Sequence, residues 1–411
     1  MHAVRRAALG LLLLAATAAA LAACAPNKSR SVSKTAQAAP PSSAVAAPTT
    51  TQGRMLTQGQ PVKVAVLLPL TGQAAPVGEQ LMNASQLALF DMPQNSVELL
   101  IKDSGDSPQT AALALQQAVT EGAQLALGPL FGSQVRAASS AARQANINLI
   151  AFSNDFNQLD GYAFLMGLAP SVQAERVTGY AMSQGYRQVA VLAPDTEFGR
   201  LSLRGAETAA SRNGGQIVSS VFYPPEQLDI SEYIRSLTGP FQALLMPDQH
   251  GRMLVLAPAL AAEGISTETT KFLGSTLWSD ASLLTQPNLQ GSWLPGVDPQ
   301  SRQNFANRYF EAYGTQPAPI ASVAFDAVTL AGYLARQALA GQANAATATP
   351  GQWVGLDRSA LLNPAGFRGV DGIFRFQPNG EVQRGLAVLA IEPGGFTVVS
   401  PAPSSFDALT N

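Results

Sequence analysis

The feature that most limits what this chain can become is the run Val62-Lys63-Val64-Ala65-Val66-Leu67-Leu68. A strand with one wet face alternates apolar and polar residues. This one is apolar at both parities and too short for a stable helix, so it must be covered on both sides, as a parallel strand between helix layers is. A turn, Pro69-Leu70-Thr71-Gly72, leads to a helical stretch from about Gly78 to Phe90. The cycle then repeats. Val97–Lys102 reads as a strand, and the polar loop Asp103 to Pro108 opens a helix with Ser107 placed to cap it and Pro108 in its first turn. Leu125–Leu127 ends in Gly128-Pro129, a helix starts near Ser133, and Asn148–Ala151 closes the set. Such βα repetition predicts an α/β fold of parallel sheet with helices on both faces.

A second set follows. Gln188–Leu192 runs into Ala193-Pro194-Asp195 and a helix from about Gly199 to Asn213. Gln216–Tyr223, Ala243–Met246 and Phe272–Gly274 read as further strands with intervening helices, and Ser301–Tyr313 and Ile320–Ala340 as two more helices. The end changes character. Gly372–Phe376, a Pro378-Asn379-Gly380 turn, Val382–Ile391, a Gly394-Gly395 turn and Phe396–Ser400 predict hairpins, and residues 401–411 a frayed tail.

The first sixty residues belong to no such pattern. Arg5 and Arg6 precede an apolar run, Ala7–Ala20, shorter than the roughly 20 residues of a membrane span. They read as a signal peptide over residues 1–23. Leu21-Ala22-Ala23-Cys24 resembles the bacterial lipobox, which predicts a lipid on Cys24, and Ala25 after it implies the periplasmic face of the outer membrane. Residues 24–60 are rich in Ala, Pro, Ser, Thr and Gln without an aromatic residue, so a disordered tether is expected. All 27 acidic residues lie beyond residue 60, leaving the folded part at −8. That charge argues against a nucleic-acid surface. With one cysteine and two histidines, His2 and His250, Cys/His metal sites and thiol–imidazole catalysis have no raw material, and no cofactor is expected.

Several segments come in a telling order: Val64 to Gly72 with Gly78 after it, Lys102-Asp103 with Ala111 and Ala112, Leu127-Gly128-Pro129, Asp195-Thr196-Glu197-Phe198-Gly199, and Gly372 to Phe376 with Asn379-Gly380. In this the chain resembles the type I periplasmic solute-binding proteins of the Leu/Ile/Val-binding class over residues 61–400. The resemblance implies two doubly wound α/β lobes joined by a hinge of three crossings, with ligand between them. On that pattern lobe 1 comprises about residues 61–167 and 296–340, and lobe 2 about 168–295 and 341–400.

In open α/β sheets ligands lie beyond the carboxyl ends of the strands. The cleft candidates are therefore Thr71, Gly72, Gly132, Ser133, Ser153, Asn154, Phe198, Asp248 and Thr276. Ser133 offers a hydroxyl at a helix start, or simply caps that helix. Phe198 is an aromatic wall or a core residue, and His250 has no evident partner. In the amino-acid-binding branch a serine in the Gly-Pro-type loop and a small-residue/threonine loop hold the ligand carboxylate, and an acid just after the Gly274-like strand end holds its ammonium. Here Gly132 falls on the serine, with Ser133 one place on, Asn154 to Phe156 fall in the second loop, and Thr276 falls on the acid. A buried ammonium without a carboxylate costs several kcal/mol, so a free amino acid is not the expected ligand.

Within the superfamily, the lipobox, the Pro69-Leu70-Thr71-Gly72 start and Leu127-Gly128-Pro129-Leu130 are most similar to the penicillin-binding protein activator lipoproteins. That resemblance implies a non-catalytic module docking on a class A penicillin-binding protein and stimulating peptidoglycan synthesis. The other reading is the substrate-binding lipoprotein of an ABC uptake transporter, with a small polar solute in the cleft. An enzyme lacks its usual parts: there is no Gly-x-Ser-x-Gly elbow, no phosphate loop and no Gly-x-Gly-x-x-Gly turn. Paired acids such as Asp103/Asp106 or Asp195/Glu197 are read as caps and solvated loops.

Overall fold

The computed structural model describes residues 53–93, 96–341, 346 and 348–406. The expected signal peptide, Cys24 and the expected tether as far as residue 52 lie outside the described residues, as do 407–411.

The first sheet is built from β1 (Val62–Leu68), α1 (Ala75–Phe90), β2 (Val97–Asp103), α2 (Pro108–Thr120), β3 (Leu125–Leu127), α3 (Gly132–Ala145), β4 (Leu149–Ala151) and β5 (Phe164–Leu165). Its strands are all parallel, in the order β2-β1-β3-β4-β5. β1 explains itself by parity. Val62, Val64, Val66 and Leu68 pack with Leu81 and Ala84 of α1, while Ala65 and Leu67 pack with Leu115 of α2 and Val135 of α3. Both faces are covered, so neither parity can be polar.

The chain passes through α4 (Pro170–Ser183) into β6 (Gln188–Pro194), α5 (Glu197–Asn213), β7 (Gln216–Tyr223), α6 (Ser231–Arg235), β8 (Ala243–Leu245), α7 (His250–Ala262), β9 (Lys271–Leu273) and β10 (Trp293–Gly296). It returns for α8 (Pro299–Tyr313), α9 (Ala321–Leu339), α10 (Arg358–Leu361), β11 (Phe367–Gly369), β12 (Gly372–Phe376) and β13 (Val382–Arg384), then crosses again to β14 (Ala387–Glu392) and β15 (Gly395–Ser400). The second sheet runs β15-β14-β10-β9-β8-β6-β7, parallel from β10 to β7, with β14 antiparallel to β10 and β15 antiparallel to β14. Helices α8 and α9 pack on α1.

Three boundaries differ from expectation. Residues 353–384 do not join lobe 2. Phe367, Phe374, Phe376 and Val382 lie in the same core as Val64, and the Phe164 and Phe376 rings are 4.9 Å apart. Accordingly Val382–Ile391 is not one strand: β13 ends on Phe374 at Arg384, Gly385 and Leu386 cross, and β14 starts opposite Gly296. Nor does the tether reach residue 60. The Arg54 amide donates to the Gln352 carbonyl at 2.7 Å, and its guanidinium stacks 4.4 Å from the Trp353 ring and donates to the Ala145 and Asn146 carbonyls at the end of α3. A cation at a helix carboxyl terminus is favourable, and averaged composition hides a single such anchor. Finally, the tail is packed through Phe406, which is 3% exposed.

Candidate functional site

Helices are seated on the strand ends by two glycines. A Cβ on Gly78 would stand 1.9 Å from the Pro69 carbonyl oxygen, and one on Gly199 would stand 2.1 Å from that of Pro194. Only glycine lets the first turns of α1 and α5 press this close to the strands before them. The loops so positioned follow the carboxyl ends of the parallel strands in each lobe and are called its rim below. Among the described residues, no hydrogen bond or ion pair joins the strand-end loops of lobe 1 to those of lobe 2.

On lobe 1, Thr71 donates its hydroxyl to Asp103 Oδ2 at 2.7 Å, and the Leu70 and Gly105 amides donate to Oδ1 at 2.9 and 2.8 Å. Partial burial pushes the Asp103 carboxyl up, but these bonds outweigh it and hold the group below its ordinary value. Gly72, at φ +79°, turns the chain into α1 beside them. Helix α3 starts at Gly132 with Phe131 before it and no side-chain cap, so Ser133 does not cap. It is exposed in the first turn. The next residue, Gln134, is buried and donates to the Ser104 and Gly105 carbonyls at 3.0 Å each, tying two rim loops together.

The position aligned with the ligand-binding serine is shut. A Cβ on Gly132 would meet Asp155 Oδ2 at 2.6 Å. The Asp155 carboxylate therefore lies at the start of α3 and accepts from the Asn157 amide and the Gln158 side chain. Ser153 is buried; its hydroxyl accepts from the Asp155 amide, and its carbonyl accepts from the Gly167 amide at the first crossing. Asn154 beside it is exposed.

On lobe 2, Thr276 is likewise occupied. Its amide and hydroxyl both donate to Gln173 Oε1, at 3.0 and 2.9 Å, and Gln173 in turn donates to the Leu168 carbonyl. Asp248 accepts from the Tyr223 hydroxyl at 2.5 Å and from the Gln249 amide at 2.7 Å. Burial, then the Asp248 charge, pushes the Tyr223 hydroxyl far up, so it remains a donor. Phe198 is half-buried and belongs to neither second-lobe core, which favours the wall over the core reading. His250 stands 3.8 Å from Asp280.

The candidates are thus at the strand ends, and Ser153, two residues beyond β4, also bonds to Gly167 at the first crossing. Gln173 and Tyr223 were missed. Gln173 precedes its partner by 103 residues, and no local pattern signals that pairing. The two described concavities lie elsewhere, one of about 370 Å³ between Asp298, residues 368–373 and residues 401–404, the other on α5. Among the described residues no cluster of His, Cys, Asp or Glu could hold a metal ion, and no helix is long and apolar enough to cross a membrane.

The family model described as periplasmic binding protein matches residues 61–395. A penicillin-binding protein activator LpoA of Haemophilus ducreyi is 30% identical over 160 residues; these are 36% of this chain and 24% of the relative, so the chain spans about a quarter of that protein's length. A solved structure from Rhodospirillum rubrum, described as a branched-chain amino acid ABC transporter, superposes with TM-score 0.70 at 21% identity, covering 82% of this chain and all of that one. An ABC transporter substrate-binding protein from Sphaerobacter thermophilus superposes with TM-score 0.63 at 20% identity, covering 84% and 98% of the two chains. These relatives are binding or activating proteins. With its two α/β lobes and the match over residues 61–395, the chain belongs to the periplasmic binding protein family.

Proposed function

We propose that this chain is a non-catalytic lipoprotein of the cell envelope that activates a class A penicillin-binding protein in peptidoglycan synthesis. A lipid on Cys24 holds it to the periplasmic face of the outer membrane, and the two-lobed domain docks on the synthase. The observation that carries this reading is the 30% identity to a penicillin-binding protein activator. The rim chemistry supports it. The position for a carboxylate clamp is filled by Asp155, and the position for an ammonium clamp is a threonine spent on Gln173. A cleft so arranged keeps the family's walls without its amino-acid contacts.

The second reading is a substrate-binding lipoprotein of an ABC transporter for a small polar solute that is not an amino acid. It draws on the solved neighbours and on the half-buried Phe198. One experiment separates the two. The native protein is crosslinked mildly in its own envelope, solubilised and captured, and both the co-purifying proteins and any solute released on denaturation are identified. Near-stoichiometric recovery of a bifunctional penicillin-binding protein without solute is the expected result. A defined small molecule without a synthase overturns the activator reading.

A further inference from the structure

The chain makes one passage between the lobes that the family resemblance does not imply. It crosses after β5, after β10 and between β13 and β14; after β15 it crosses once more. Ser400 and the Pro401 carbonyl are held by the Arg176 guanidinium of lobe 2, and Ala402 packs on the second-lobe core. The path then leaves that lobe. Pro403 lies against Gly385, where a Cβ would meet its Cγ at 2.9 Å. Phe406 is buried in lobe 1 beside Gly366, with the Arg375 guanidinium 4.4 Å above its ring. Between these ends residues 401–404 wall a cavity of about 370 Å³ instead of lying flat on either lobe.

The strand order gives this segment a direction of action. In the sequence β15-β14-β10-β9-β8-β6-β7, the crossings leave from β14 and β10, and the rim loops holding Thr276, Asp248 and Phe198 follow β9, β8 and β6. β15 is on the other side of the crossings, about 4.8 Å beyond β14. Rotation about the crossings that brings the rims together therefore lengthens the span from Ser400 to Phe406. Pro401 and Pro403 each fix one φ angle, and both ends are held, by Arg176 on one side and by the buried Phe406 on the other, which restricts how the segment can lengthen. We propose that residues 401–406 form a strap behind the hinge that limits closure of the two lobes. The rims then stay apart as a standing surface and do not shut as a trap.

The test uses the full chain carrying Cys24→Ser, with spin labels at Gln73→Cys and Gln249→Cys, exposed positions on the first-lobe and second-lobe rims. Interlobe distances are measured by double electron–electron resonance. Two variants release the strap: Phe406→Ala, and a short run of glycines inserted between Ser404 and Ser405, which leaves Phe406 free to seat. Thermal melts by circular dichroism check that each is folded. A single distance population is expected with the native strap, and an added population at shorter distance in both variants. If Phe406→Ala fails to fold, the glycine insertion carries the test alone. An unchanged distribution in the insertion variant, or a shift to longer distance, overturns the proposal.

Discussion

Replacing Arg384 by Met should cost more stability than any other single change at the hinge, and the cost should depend on pH. Asp326 and Arg384 are 1% and 3% exposed, with Nη1 3.3 Å from Oδ2, while the Val370 amide donates to Oδ1 at 2.6 Å. Burial pushes the Asp326 carboxyl up, Arg384 pulls it back and nearby Asp371 pushes it up again, leaving it raised to about 6. Removing one partner of a buried pair costs about 3–5 kcal/mol, because the other charge stays buried and uncompensated. In Arg384→Met the Asp326 value rises further, since the group that lowered it is gone. A folded value above the unfolded one means stability is fullest at low pH and is lost as pH rises through the folded value. The wild type should therefore lose stability from pH 5 to pH 8 on account of this group, and the variant should lose more, by about 1.4 kcal/mol for each further unit of rise. Urea unfolding at pH 5 and pH 8 measures both. Adding Asp326→Asn, which keeps an acceptor for the Val370 amide, should recover most of the loss at pH 8. A difference between wild type and Arg384→Met that is the same at both pH values, or below about 1 kcal/mol at pH 8, would refute the reasoning.

Three further outcomes follow from the geometry. Gly132→Ser should destabilise by about 1–3 kcal/mol, because its Cβ collides with Asp155, and calorimetry should show no leucine binding; binding would mean the shut position is not what excludes an amino acid. Arg54→Ala should speed proteolytic cleavage between residues 53 and 60, at a cost of about 1 kcal/mol from the lost stacking on Trp353 and the lost bonds to the end of α3. An unchanged digestion pattern would show that the anchor holds nothing. Cys24→Ala should release the protein from membranes in fractionation, and full retention would sink the lipid anchor.

The helix-and-strand order was legible because the central strands of both sheets are buried on both faces, which forces near-continuous apolar strands such as Val62–Leu68 and Val189–Ala193. Short strands at the margins were not. β5 has two residues and β10 four, one of them Pro295, and neither carries enough pattern to register. The lobe assignment of residues 353–384 failed for a different reason. The aromatic face of β12 looks the same from the sequence whichever core receives it, and what decides is Phe164, Leu356 and Phe325 waiting in the first lobe. A glycine at 385 lets the chain leave one sheet for the other inside what reads as one apolar run.

The rims divide along the same line between what packing demands and what it leaves open. Gly78 and Gly199 cannot change without lifting a helix off its strand, and they stand where the family pattern has them. That packing does not dictate what lines the strand ends. Three positions there bond within the protein: Gly132 makes room for Asp155, Thr276 is tied to Gln173, and Thr71 steadies Asp103. A solute trap needs donors and acceptors left unsatisfied until its ligand arrives. A docking surface needs its groups fixed beforehand, so that association spends less on ordering them. Three strand-end positions satisfied from within support the proposed docking role, because fewer groups remain to be ordered on association.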